Sequence, residues 1–155
     1  MGREIRRVPK DWQHPKDERT GEYKPLLGSS YSEDAADFMK MANEKGLQEA
    51  VDYHGDAPDR DDYMPEWPEA ERTHLMMYED TSEGTPISPA FETPEALARW
   101  LADNGASAFG SCTATYEEWL STCRGGWAPS MVMQGGELMS GVEFEGRRAE
   151  SEEAK

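Results

Sequence analysis

One helix in this sequence leaves little choice about its limits, and the chain has to be built around what that helix must bury. In Thr93–Gly105, Thr93 fits the N-cap, Pro94 the first helical position and Glu95 the positive end of the helix dipole. Gly105 fits the left-handed residue that closes the end. A Pro- and Gly-punctuated loop from Ser82 feeds it, and Leu97, Trp100, Leu101 and Asn104 share one face. Farther on, Thr115 and Glu118 have capping-box spacing. Tyr116, Trp119, Leu120 and Cys123 then recur at i, i+3, i+4 and i+7 until Gly125–Gly126 stops the helix. Two helices with one apolar face each must bury those faces against each other and a sheet.

The rest of the chain supplies that sheet and further helices. Ser30 and Glu33 form a second capping-box pair, opening a helix with Ala35, Phe38, Met39 and Ala42 on its apolar face and Gly46 at its end. Leu47, Ala50 and Val51 extend it as a second helical piece up to Gly55. The run Thr73–Tyr78 reads as a short strand, and Ser130–Phe144, centred on Gly135–Gly136, as a hairpin with a two-residue turn. The expected class is α+β: a single domain of three to four helices on a small, mostly antiparallel sheet with a C-terminal hairpin. Residues 1–30, broken by Pro9, Pro15 and Pro25, read as an extended arm. Residues 31–144 read as the domain, and 145–155, without apolar anchors, as a mobile acidic tail.

Charge narrows the partners. The chain of 155 residues carries 32 acidic and 16 basic residues, a formal net charge of −16. Residues 1–25 hold seven basic and five acidic residues, net +2, so the remainder is at −18. A surface this acidic repels nucleic acid and attracts basic surfaces. Its hydrophobic fraction is only 36%, yet five Trp, six Tyr, four Phe and nine Met bring enough large apolar area for a core. No apolar run approaches the roughly 20 residues of a membrane span and no signal-peptide pattern occurs, so a cytoplasmic location is expected.

Signs of catalysis are missing. His14, His54 and His74 share no ligand spacing, and there is no G-x-S-x-G elbow, phosphate loop or H-E-x-x-H. Cys112 and Cys123, the two cysteines, read as free thiols rather than a metal site. Asp56, Asp59, Asp61 and Asp62 do not match a calcium loop, which needs ligands at alternating positions, a central Gly and a terminal Glu. No metal and no cofactor is expected. Tyr78, Glu79, Asp80, Thr81, Ser82, Glu83 and Thr85 crowd hydroxyls and carboxylates after the strand, which turn chemistry explains as well as function does.

The strings GREIRRVPKDWQHP, TSEGTPISPAFETPEALARWLADNG and GGWAPSMVMQGGELMSGVE resemble a family of small bacteriophage and prophage proteins. The resemblance spans the start, middle and end of the chain and carries over no catalytic residue. It implies a phage accessory protein acting in the bacterial cytoplasm. Joined to the acidic charge, the expectation is a non-enzymatic inhibitor that mimics the DNA backbone. It would dock on a basic host protein that binds nucleic acid or serves defence, with no direct contact to nucleic acid or membrane. The densest acidic segment supplies the expected contacts: Asp56, Asp59, Asp61, Asp62, Glu66, Glu69 and Glu71. The alternatives are a virion or assembly component, using aromatics exposed around Trp67, and a small enzyme gathering His74, Tyr78, Glu79 and Ser82.

Overall fold

The computed structural model describes residues 2–80 and 83–154, and its architecture is α+β. It divides into two compact units, Pro25–Glu66 and the remainder, Met1–Lys24 with Trp67–Lys155.

The larger unit is organised by a three-stranded antiparallel sheet in the order β2-β1-β3. Its middle strand is β1 (Arg3–Val8), paired with β2 (His74–Glu79) from Arg3 opposite Glu79 to Val8 opposite His74. On the other side, Arg3 and Glu4 pair with Ala128 and Trp127 of the two-residue β3. The residues expected to form an arm therefore hold the centre of the sheet. The arginines hid this strand: Arg3 and Arg6 occupy positions where an apolar residue is the usual occupant, and both are buried.

Against the sheet lie α3 (Pro94–Asp103) and α4 (Tyr116–Gly125), capped as their sequences dictate. The Thr93 hydroxyl accepts from Ala96 N–H, and both bonds of the Thr115–Glu118 capping box are made. Their apolar faces meet in one core with Met77, Leu97, Ala98, Leu101, Trp119, Cys123 and Val142, while Trp100, Tyr116 and Leu120 pack at its margin. Cys112 is exposed, Cys123 is buried, and both are free.

The expected hairpin is β4 (Met131–Gln134) with β5 (Glu137–Ser140), turning through Gly135 and Gly136. It ends at Ser140 rather than Phe144. From there α5 (Gly141–Glu153) takes over residues read as the end of a strand and a mobile tail. Its anchors are glycines, which a search for large apolar residues passes over. An added Cβ on Gly141 would sit 1.8 Å from the Pro129 carbonyl oxygen, and one on Gly146 2.7 Å from Glu118 Cγ. The missing side chains let the helix lie directly on its neighbours. Val142 enters the core, and the Ser121 hydroxyl donates to the Glu145 carbonyl at 3.0 Å. The local signal was there too: the Ser140 side chain accepts from Glu143 N–H, the S/T-x-x-E spacing that also opens α1 and α4.

The smaller unit pairs α1 (Tyr31–Lys45) with α2 (Leu47–His54), joined at Gly46, whose φ of 100° favours glycine. Its core is thin: Leu26, Phe38, Ala50, Tyr63 and Met64 are buried, whereas Met39 and Leu47, read as part of apolar faces, are 55% and 65% exposed.

In urea melts Trp119→Ala, which deletes a fully buried ring, should lower stability by about 3–5 kcal/mol, whereas Asp61→Ala on the surface should stay within about 0.5 kcal/mol. Gly141→Ala, which drives a methyl group into the Pro129 backbone, should cost about 1–3 kcal/mol in the same melts.

Candidate acidic docking site

The acidic segment divides between the two units. Asp56, Asp59, Asp61, Asp62 and Glu66 belong to the smaller unit, and Glu69 and Glu71 to the larger. All seven side chains are exposed, and several already have structural work. Asp59 caps the short 3-10 turn Arg60–Asp62, accepting from Asp61 N–H at 3.0 Å. Glu69 is bonded to both Arg7 and Arg72. Glu71 lies in a second short turn, Glu69–Glu71.

Glu66 does most. Its Oε1 accepts from the Ser30 hydroxyl at 2.6 Å and from Ser32 N–H at 3.2 Å, and its Oε2 accepts from the Ser32 hydroxyl. The carboxylate therefore sits over the first turn of α1, where the unpaired N–H groups and helix dipole favour negative charge. The hydrogen bonds from Ser30 and Ser32 hold its pKa down at about 2, from an ordinary 4.5. This residue is a clamp on the helix, which limits its freedom to meet a partner.

Asp56, Asp59 and Asp62 line a cleft of about 390 Å³ within the smaller unit. The other carboxylates in its lining are Asp34 and Asp37, one turn apart on α1, which reading the loop alone did not reach. Phe38, Leu27 and Tyr63 give the cleft its apolar lining. Asp34 also accepts from the Tyr63 hydroxyl at 2.9 Å, and burial together with that bond pushes the Tyr63 phenol up to about 12. Among the described residues no lysine or arginine lines the cleft, although Arg60 is close in sequence. The Arg60 guanidinium faces elsewhere, bonding the Met64 carbonyl at 3.2 Å and lying over the Tyr31 ring. No group of three or more His, Cys, Asp or Glu among the described residues is placed to hold a metal ion.

The alternative sites fare differently. The surface expected to be exposed near Trp67 is tucked in: Tyr63 is 8% exposed and its apolar neighbour Met64 7%. In the larger unit, Trp67 packs its ring edge-on to Trp12 at 4.8 Å. Tyr78 is fully buried in β2 and bonded to Trp12 and His14, whereas Glu79 meets Arg3 and Thr85, and His74 meets the Thr73 hydroxyl. Thr81 and Ser82 of the hydroxyl-rich loop lie outside the described residues. Among the described residues no helix is long and apolar enough to cross a membrane.

The Glu66 clamp has a pH signature. Its folded pKa is depressed, so the stability it gives α1 is present above the ordinary value near 4.5 and is lost as pH falls toward about 2. Amide exchange at Ser32 and Glu33, measured by NMR, should accelerate across that window relative to the middle of α1. In Glu66→Gln the faster exchange should already be present at neutral pH and change little on acidification.

Comparison with known proteins adds no relative to this picture: no family model matches the chain, and no curated protein or solved structure does.

Proposed function

We propose that this protein is a non-enzymatic inhibitor whose acidic surface occupies the basic groove of a nucleic-acid-binding or defence protein in a phage-infected bacterium. The observation that carries the reading is the cleft lined by Asp34, Asp37, Asp56, Asp59 and Asp62, with His54 but no lysine or arginine among its described lining. Its chemistry suits the side chain of a lysine or arginine. The methylene stem covers Leu27, Phe38 and Tyr63, and the cationic head meets the carboxylates. A basic groove that normally holds phosphates presents several such side chains at once. The phage setting rests on the resemblance of the strings described above, and the net charge of −16 supplies long-range steering toward a basic partner.

The test separates the cleft from general acidity. Asp37, Asp56 and Asp62 are the carboxylates to change, because Asp34 holds Tyr63 and Asp59 caps a turn. Immobilised protein is exposed to bacterial lysate, and captured nucleic-acid-binding proteins are purified and titrated individually. The expected result is binding that duplex DNA displaces and that Asp37→Asn/Asp56→Asn/Asp62→Asn weakens about tenfold, a loss of about 1.4 kcal/mol. Binding should also fall steeply between about 0.1 M and 1 M salt, as the screening length shrinks from about 10 Å to about 3 Å. Capture that DNA does not displace, or that the triple variant leaves unchanged, would overturn the reading.

A further inference from the structure

The larger unit holds a groove of opposite character, about 810 Å³ in volume. In a chain of net charge −16 its lining includes Lys10 and Lys16 and, among the described residues, no carboxylate. Trp12, Tyr23 and Trp100 supply aromatic surface in the same groove.

The groove is built rather than incidental. Residues 16–23 form a small hairpin in which Lys16 pairs with Tyr23. Its turn is closed by Asp17, whose Oδ1 accepts from Arg19 N–H at 2.8 Å and Thr20 N–H at 3.0 Å. That acid, adjacent to Lys16, is thereby engaged on its own turn. The Lys16 ammonium lies 5.0 Å from the Tyr23 ring centroid, so cation and ring are presented together.

His14 pins the hairpin base. Its Nε2 is 2.6 Å from the Lys24 carbonyl oxygen, which only accepts, so Nε2 carries the proton. In the neutral ring Nδ1 then accepts from the Tyr78 hydroxyl 3.0 Å away. The Trp12 indole N–H in turn donates to the Tyr78 oxygen at 3.1 Å. Burial lowers the His14 pKa and so favours the neutral ring, and the chain of bonds fixes Trp12 at the groove wall. The positive charge available to a ligand is therefore that of the two exposed lysines.

We propose that this groove binds a small planar aromatic anion, a ring system carrying a phosphate or carboxylate. The aromatic walls take the ring and Lys10 and Lys16 take the anionic group. A volume in this range matches small-molecule sites, which run about 300–1,000 Å³. The field of the whole chain selects for size: a polyanion such as single-stranded nucleic acid brings many phosphates against net negative charge, whereas one anionic group meets only its local lysines. The site is independent of the acidic cleft, being built wholly from the larger unit.

Titration of the full chain followed by NMR tests this with adenosine 5′-monophosphate and indole-3-acetate as probes, and adenosine and inorganic phosphate as controls. The expected result is saturable binding of at least one aromatic anion, with a Kd at or below about 1 mM. Shifts should concentrate on the Trp12 and Trp100 indoles and on Gln13 and Tyr23 amides. Binding by the monophosphate alone assigns a nucleotide-like ligand, and by the indole acid alone an aromatic carboxylate. Lys10→Gln/Lys16→Gln, at two exposed positions, should keep the fold by circular dichroism and raise the Kd about tenfold. Absence of saturable binding by both probes, equal affinity for adenosine or phosphate alone, or an unchanged Kd in the double variant would overturn the proposal.

Discussion

The sheet of the larger unit depends on a charge placed where hydrophobic side chains usually sit. Arg3, 2% exposed, stands in the middle strand. Its Nε donates to the Ser107 carbonyl at 2.8 Å, Nη2 to the Ser107 hydroxyl at 3.2 Å, and Nη1 to the Gly2 carbonyl at 3.1 Å. Glu79, its cross-strand partner on β2, approaches to 3.5 Å. Burial pulls the guanidinium pKa down, and Glu79 and Asp80 act against that pull. A buried ion without such partners costs several kcal/mol, so these groups are conditions for the strand rather than additions to it. Asp80 extends the arrangement across the sheet, accepting from Gly2 N–H at 2.9 Å and from the Trp127 indole at 2.6 Å. The short β3 is thus tied to the end of β2 by a side chain as well as to β1 by its backbone.

This explains which parts of the fold were legible in the sequence. Helices α1, α3 and α4 announce themselves because caps are local: Ser30, Thr93 and Thr115 each bond an N–H three residues on. The hairpin is equally local, fixed by Gly135 and Gly136. Strand β1 is not local. Arg3 and Arg6 are favourable inside only because Ser107, Glu79, Glu4 and the Tyr78 ring arrive from elsewhere in the chain or along the strand. Helix α5 has the same difficulty in another form. Gly141 and Gly146 are weak helix residues until the close approach of Pro129 and Glu118 makes their lack of a side chain the condition for packing.

The candidate sites divide along the same line. Asp56, Asp59 and Asp62 were readable as an acidic run, but Asp34 and Asp37 join them only through the fold of the smaller unit. Glu66 and Glu69 looked equivalent to these in sequence, yet hydrogen bonds give one to a helix start and the other to two arginines. Acidity along the chain therefore measures net charge and not the charge available to a partner. The basic groove reverses the lesson. Lys10 and Lys16 sit in an ordinary mixed stretch, and their significance comes from the aromatic walls folded around them.

The smaller unit relies on polar bonds as well as on apolar contacts. Its apolar core is short, with Phe38 and Ala50 the buried residues of its two helices. Polar bonds fill the gap, among them Glu66 on the start of α1 and Tyr63 on Asp34. Beside these bonds, Asp34, Asp37, Asp56, Asp59 and Asp62 line the cleft. Under the proposed function, a cationic side chain entering the cleft would bind the folded state alone, and preferential binding of that kind would stabilise the fold by mass action.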